Sequence, residues 1–204
     1  ELRSASRASG NSVATSSAMR STPGPAAAGV AATAQGGVVS AVNYNAPGQV
    51  VIAGHAGAVD AATKALTAEG AKRCIPLSVS APFHTALMQP AGEKLAGVLA
   101  DIVIKAPEIP VVHNVHARTE PDPEKIRDLL VAQIASPVMW TDCVRTLVSG
   151  GTTRLAECGP GNVLSKLNKR IDRSIDSFPL ESPEGLQALL ETGDTQQQPE
   201  DKHD

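Results

Sequence analysis

Aromatic residues are almost missing from this chain: its 204 residues include two Phe, one Tyr and one Trp. A core must therefore be packed from Ala, Val, Leu and Ile, and 42% hydrophobic content supplies enough of these for one or two soluble domains. Cysteine is sparse too. Cys74, Cys143 and Cys158 are odd in number and none stands in a C-x-x-C pair, so neither a disulfide framework nor a cysteine-based zinc site is supported. The formal net charge of -3 offers no basic excess to attract nucleic acid or an anionic membrane. No run approaches the ~18 consecutive apolar residues of a membrane span. The G-x-S-x-G elbow of a serine nucleophile is also absent: Gly10-Asn11-Ser12-Val13-Ala14 comes nearest and lacks the second glycine. Arg3, Arg7 and Arg20 among many Ser and Ala superficially suggest a transit peptide, but no apolar stretch of a secretory signal accompanies them, and a cytoplasmic location is expected.

What is present starts at Val38. Before it, Leu2, Val13, Met19 and Val30 are the only large apolar side chains, too few to offset the entropy of ordering, so residues 1–37 read as a disordered or relic segment. Val38, Val39, Ala41 and Val42, the turn formers Asn45-Ala46-Pro47-Gly48, and Val50-Val51-Ile52-Ala53 read as a hairpin. Residues 56–69 place Val59, Ala62 and Leu66 on one helical face, with Gly70 as the stop. Ile75, Leu77 and Val79 alternate as one face of a strand.

Pro90 can open a helix carrying Leu95, Val98, Leu99 and Ile102, and Ile109-Pro110-Val111-Val112 is a short strand candidate. Asp122-Pro123 is an N-cap and first helical position for a helix with the stripe Ile126, Leu129, Leu130 and Ile134. Trp140, Val144 and Leu147 predict another helix, ended by Gly150-Gly151. Residues 153–158 read as a strand, and residues 162–171 as a helix carrying Val163, Leu164, Leu167 and Ile171. Strands alternating with helices argue α/β architecture with a mostly parallel sheet in the later part. A C-terminal helix and polar tail occupy residues 179–204.

Several residues could carry chemistry. His84 stands in Phe83-His84-Thr85-Ala86-Leu87-Met88-Gln89-Pro90, a loop between a strand pattern and a helix pattern, where catalytic side chains tend to be presented. Most exposed histidines nonetheless do nothing special. Gly159-Pro160-Gly161 ahead of a helix could offer N–H groups to a phosphate, but Pro160 removes one donor and a tight turn is the stronger reading. His113 and His116 lie three apart without a Cys, Asp or Glu at ligand spacing, so no metal is expected and both read as surface residues. Cys158 reads as a small buried residue at a strand end, not as a nucleophile.

Taken in order, Asn43-Tyr44-Asn45-Ala46-Pro47-Gly48-Gln49-Val50-Val51-Ile52-Ala53-Gly54, Gly70-Ala71-Lys72-Arg73, the His84 segment, Gln133 with Ser136-Pro137-Val138 and Trp140, and Glu157-Cys158-Gly159-Pro160-Gly161 resemble the C-terminal half of malonyl-CoA:acyl-carrier-protein transacylases. The resemblance implies a hydrolase-like α/β acyltransferase body with an inserted ferredoxin-like subdomain, both partial here: residues 38–80 in the subdomain and 81–178 in the body. It implies transfer of malonyl from malonyl-CoA to the phosphopantetheine thiol of acyl carrier protein through an acyl-serine, with His84 as general base and the backbone carbonyl of Gln133 orienting it. No cofactor or metal is implied, malonyl-CoA being a substrate, and a monomer is expected. Gln49 is not placed in the oxyanion hole, because its surroundings match the later hairpin of the family. Phe83 before the histidine resembles the Phe-His pair of malonyl-selecting relatives. The family's nucleophilic serine and malonyl-gripping arginine are not in this sequence. The alternatives are a non-catalytic fragment that binds a carrier protein or a partner half, and a piece of a polyketide synthase acyltransferase.

Overall fold

The computed structural model describes residues 37–77 and 79–194. The expectations for residues 1–36 and for the polar tail from 195 onward lie outside these. The chain divides into two compact units, with the break after Thr146.

The first unit begins with the expected hairpin. Strand β1 (Val39–Ala46) pairs antiparallel with β2 (Gln49–Gly54), and register shifts interrupt the ladder between Ala41 and Asn43 and between Tyr44 and Ala46. Pro47 and Gly48 make the connection. Gly48 adopts φ 74°, a conformation that L side chains adopt with difficulty, while Pro47 presets the preceding φ. Helix α1 (Ala56–Ala68) buries Ala58, Val59, Ala62 and Leu66 against Val39 and Ile52, forming a core of small and aliphatic side chains. At its end the amide of Gly70 donates to Thr67 O (3.1 Å) and that of Ala71 to Leu66 O (2.8 Å). With Gly70 at φ 94°, these two bonds form a glycine-dependent helix stop.

His55, just before α1, brackets Val38: its N–H donates to Val38 O (2.8 Å) and its Nδ1 accepts from Val38 N–H (3.0 Å). A Cβ on the adjacent Gly54 would collide with the carbonyl oxygen of Val38, so the chain can pass this point only as glycine.

A 3-10 turn (Ala86–Met88) leads into helix α2 (Gln89–Ala100), with Pro90 in its first turn. Strands β3 (Val112–His113) and β4 (Arg118–Thr119) pair antiparallel. Helix α3 (Pro123–Ala132) is capped as expected, Asp122 Oδ1 accepting from Glu124 N–H at 3.0 Å. Helix α4 (Trp140–Ser149) follows and ends at Gly150-Gly151. The residues ahead of α4 lie alongside β1, where Val138 N–H donates to Val42 O (2.8 Å) and Tyr44 N–H to Val138 O (2.9 Å). The hydroxyl of Thr141 adds a bond to Tyr44 O at 2.9 Å. Thus the Ser136–Trp140 motif is the segment that joins the hairpin to the helices.

In the second unit, β5 (Arg154–Glu157) and β6 (Asp176–Pro179) are parallel neighbours joined through helix α5 (Val163–Ile171), and helix α6 (Pro183–Asp194) follows.

The structure departs from these expectations at several points. Residues 74–80 make no extended strand among the described residues: Ile75 is a single bridge, and Leu77 and Val79 are exposed, with Pro76 unable to donate to a ladder. The strand expected at Ile109–Val112 shrinks to Val112–His113, leaving Ile109 and Val111 exposed on either side of Pro110. Helix α2 buries Gly92 and Leu99 but exposes Val98, and Ile102 lies exposed beyond the helix end. Val98 sits about 100° round the axis from Leu99, off the packed face. Helix α5 likewise buries Ser165, Leu167 and Asn168 while Val163 and Leu164 are exposed. In the later part of the chain the β5–β6 pair is parallel, as expected, whereas β3–β4 is antiparallel.

Candidate active site

His84 adopts φ 63°, a left-handed conformation that costs an L residue roughly 1 kcal/mol. Neighbouring bonds hold the backbone there. Thr85 is 1% exposed; its hydroxyl donates to Pro82 O (2.7 Å) and accepts from Leu87 N–H (3.3 Å), capping the 3-10 turn. Sequence reading missed Thr85. Its signal was available: a threonine immediately before a helical start is a favoured capping residue.

The half-buried His84 ring is oriented through space by α3. Its Nδ1 lies 2.9 Å from the backbone carbonyl oxygen of Gln133. A carbonyl can only accept, so Nδ1 carries the proton and the neutral ring keeps its lone pair on Nε2. That is the form a proton acceptor needs. Gln133 is the C-cap of α3 and receives no helical amide on its own oxygen, so the bond to His84 satisfies an otherwise orphaned helix-end carbonyl.

Phe83 is 46% exposed beside the histidine. With Val42, Val51, Val79, Asn43 and Asn45 it lines a cleft of about 200 Å³ between the hairpin and the His84 loop. Gln49 opens β2 on the hairpin.

The glycine-proline-glycine loop in the second unit is already occupied by the protein's own anions. Glu157 Oε1 accepts from Leu164 N–H (2.9 Å) and Oε2 from Ser165 N–H (2.8 Å), while Gly161 N–H donates to Glu181 Oε2 (2.7 Å). Desolvation works against the Glu157 charge, but the amides of Ser165, Leu164 and Val163 outweigh it and hold this carboxyl below the usual carboxylate range. The turn reading therefore stands against the phosphate-cradle reading.

Two other expectations need correction. Cys158 is exposed, not buried, because the strand it follows has a single partner among the described residues. His113 and His116 are half-buried instead of lying on the surface. Their rings meet edge to face with centroids 5.9 Å apart, and His116 Nδ1 accepts from Arg118 N–H (3.1 Å). The buried thiol of Cys143 points to His113 O at 3.7 Å, and burial with the nearby Asp142 charge pushes its pKa up to about 11. Among the described residues no group of three or more His, Cys, Asp or Glu could hold a metal ion, and no helix is long and apolar enough to cross a membrane.

No protein-family model matches the chain. Curated proteins do. The chain is 51% identical over 158 residues to the malonyl CoA-acyl carrier protein transacylase of Salmonella typhimurium, a match covering 78% of this chain and 51% of that protein. It is 40% identical over 160 residues to the Bacillus subtilis transacylase, covering 78% and 50%. Among solved structures, the transacylase of Xanthomonas oryzae superposes with a TM-score of 0.86 at 42% identity, covering 92% of this chain and 60% of that one. A malonyl-transacylase solved in complex with a type II polyketide synthase acyl carrier protein gives 0.84 at 41% identity, covering 90% and 59%. The chain spans about half the length of the curated relatives it matches. Over the part it spans, the sequence and the α/β fold of this chain match those of malonyl-CoA:acyl-carrier-protein transacylases.

Proposed function

We propose that this chain carries the general-base part of a malonyl transacylase that moves malonyl from malonyl-CoA to the phosphopantetheine thiol of acyl carrier protein, in fatty acid biosynthesis. The supporting observation is the 2.9 Å contact between His84 Nδ1 and the Gln133 carbonyl, which leaves Nε2 free to take a proton. The similar protein solved with an acyl carrier protein supports the choice of acceptor.

The chemistry balances around one proton. His84 Nε2 takes it from a serine hydroxyl, contributed by sequence outside this chain, as the serine oxygen attacks the malonyl thioester carbonyl. Collapse of the tetrahedral intermediate breaks the C–S bond, and the imidazolium returns the proton to the coenzyme A thiolate. In the second half the carrier thiol gives its proton to Nε2, its sulfur attacks the acyl-serine ester, and the serine oxygen leaves with the proton. No cofactor enters either half. We place residues 38–80 in the small subdomain and 81–178 in the body, and expect a cytoplasmic monomer.

The test is a fusion of the serine-bearing half of a relative ahead of residues 38–178, assayed for malonyl transfer. His84→Ala should lower turnover by on the order of a hundredfold or more. Gln133→Ala should change it little, because the orienting atom belongs to the backbone. Equal turnover in the fusion and its His84→Ala variant would refute the base assignment. The chain without that half should take no label from radioactive malonyl-CoA; stable label on one of its own serines would show that it carries a nucleophile after all.

A further inference from the structure

Helices α2 and α3 run antiparallel, as three contacts along their length require. His84, just before α2, meets Gln133 at the end of α3. One turn into α2, Gly92 faces the end of α3, where an added Cβ would stand at ordinary contact distance, 3.6 Å from Val131 O and 3.8 Å from Ile134 Cβ. Arg127 of α3 reaches the C-terminal end of α2 and the residues just past it: its Nη1 donates to Leu99 O and its Nη2 to Ile102 O, the latter at 3.0 Å.

Helix α2 has no basic residue in its own last turn. Arg127 supplies, from the neighbouring helix, the cation that a helix C-terminus favours and a two-pronged donor; Leu99 O also accepts from Ile102 N–H at 3.1 Å, so the guanidinium adds a second bond there. Glu124 Oε2 lies 3.5 Å from Arg127 Nε, but it is largely exposed and contributes orientation more than energy.

We propose that Arg127 is a positioning residue for His84, acting by setting how α3 lies along α2. The atom that orients the imidazole is a backbone oxygen, so no side chain at position 133 can tune it. Only the placement of α3 can. A hydrogen bond tolerates displacements of a few tenths of an ångström, whereas one residue of slip along a helix is about 1.5 Å. The Arg127 clamp on the C-terminal end of α2 restricts that freedom, and Gly92 faces Val131 and Ile134 near the other end. The proposal rests on the reading of His84 as the base.

The test observes the His84 ring directly in the ¹⁵N-labelled full chain, with its resonances assigned by their loss in His84→Ala. In the unsubstituted protein the ring should show the Nδ1–H tautomer with a slowly exchanging Nδ1 proton. Arg127→Met should lose the slow exchange and bring in Nε2–H resonances; Arg127→Lys, keeping charge and one donor prong, should restore the Nδ1–H form in part. Ile52→Val, which weakens the hairpin core away from both helices, should leave the ring signals unchanged. A folded Arg127→Met with the tautomer and exchange of the unsubstituted protein overturns the proposal. If Arg127→Met does not fold, Arg127→Lys decides: mixed tautomers support the proposal and an unchanged ring overturns it. Absence of the Nδ1–H form in the unsubstituted chain would overturn the base reading itself, a result distinct from failure of the Arg127 variants.

Discussion

His84 and Gln133 are separated by 49 positions in sequence, yet Nδ1 of one lies 2.9 Å from the backbone oxygen of the other. The contact links a strained loop residue to the end of a helix. It converts a histidine of ordinary surroundings into one with a defined tautomer, and the residue it depends on contributes no side-chain atom.

The left-handed backbone at His84 gives a stability prediction. At φ 63° glycine is at ease and alanine is not, so His84→Gly should be more stable than His84→Ala by roughly 0.5–1 kcal/mol after the greater unfolded-state entropy of glycine is allowed for. Denaturant midpoints of the two variants measure this. Equal midpoints, or a more stable alanine variant, would mean that the loop relaxes out of the left-handed conformation when the ring is removed.

The cysteines should differ sharply in reactivity. Cys158 is exposed, whereas Cys143 is buried with its pKa pushed up to about 11, so little thiolate is available at neutral pH. In the native chain at pH 8, a thiol reagent should modify Cys158 rapidly and Cys143 only upon unfolding. Mass spectrometry of the modified peptides distinguishes the two, and early label on Cys143 would contradict its burial.

Glu157 should make the second unit acid-sensitive. Its folded-state pKa is depressed, so the stabilisation it brings is present above the unfolded value of about 4.3 and is lost as pH falls through the lower folded value. Glu157→Gln keeps the shape but not the charge. The variant should be less stable than the parent at pH 7, and the gap should narrow as the pH falls through that window. A gap independent of pH would show that the carboxylate bonds to Leu164 and Ser165 stabilise only as neutral contacts would.

Much of the local structure was legible in the sequence because it is decided within a few residues. Pro47-Gly48 makes the hairpin turn, Gly70 stops α1 and Asp122 caps α3, each through steric or hydrogen-bonding preferences of the residue itself. The segments around 75–79 and 109–112 misled because alternation or a β-branched run marks a strand only where a neighbour accepts its hydrogen bonds. Prolines 76 and 110 weaken both segments further. Helical periodicity found α2 and α5, but not every apolar residue it aligned is buried. The packed side of α2 is set by its approach to α3 at Gly92, and that of α5 by the seating of Ser165, Leu167 and Asn168.

The sequence by itself determined that a histidine would stand in a loop ahead of a helix, flanked by motifs that resemble one acyltransferase family. The tertiary structure decided what that histidine touches. Its tautomer follows from a carbonyl presented by a different helix, and the position of that carbonyl follows from the packing of α2 on α3. Chain-distant contacts of this kind are invisible to periodicity and turn chemistry, since each reads a window of a few residues and neither carries the distance between helices.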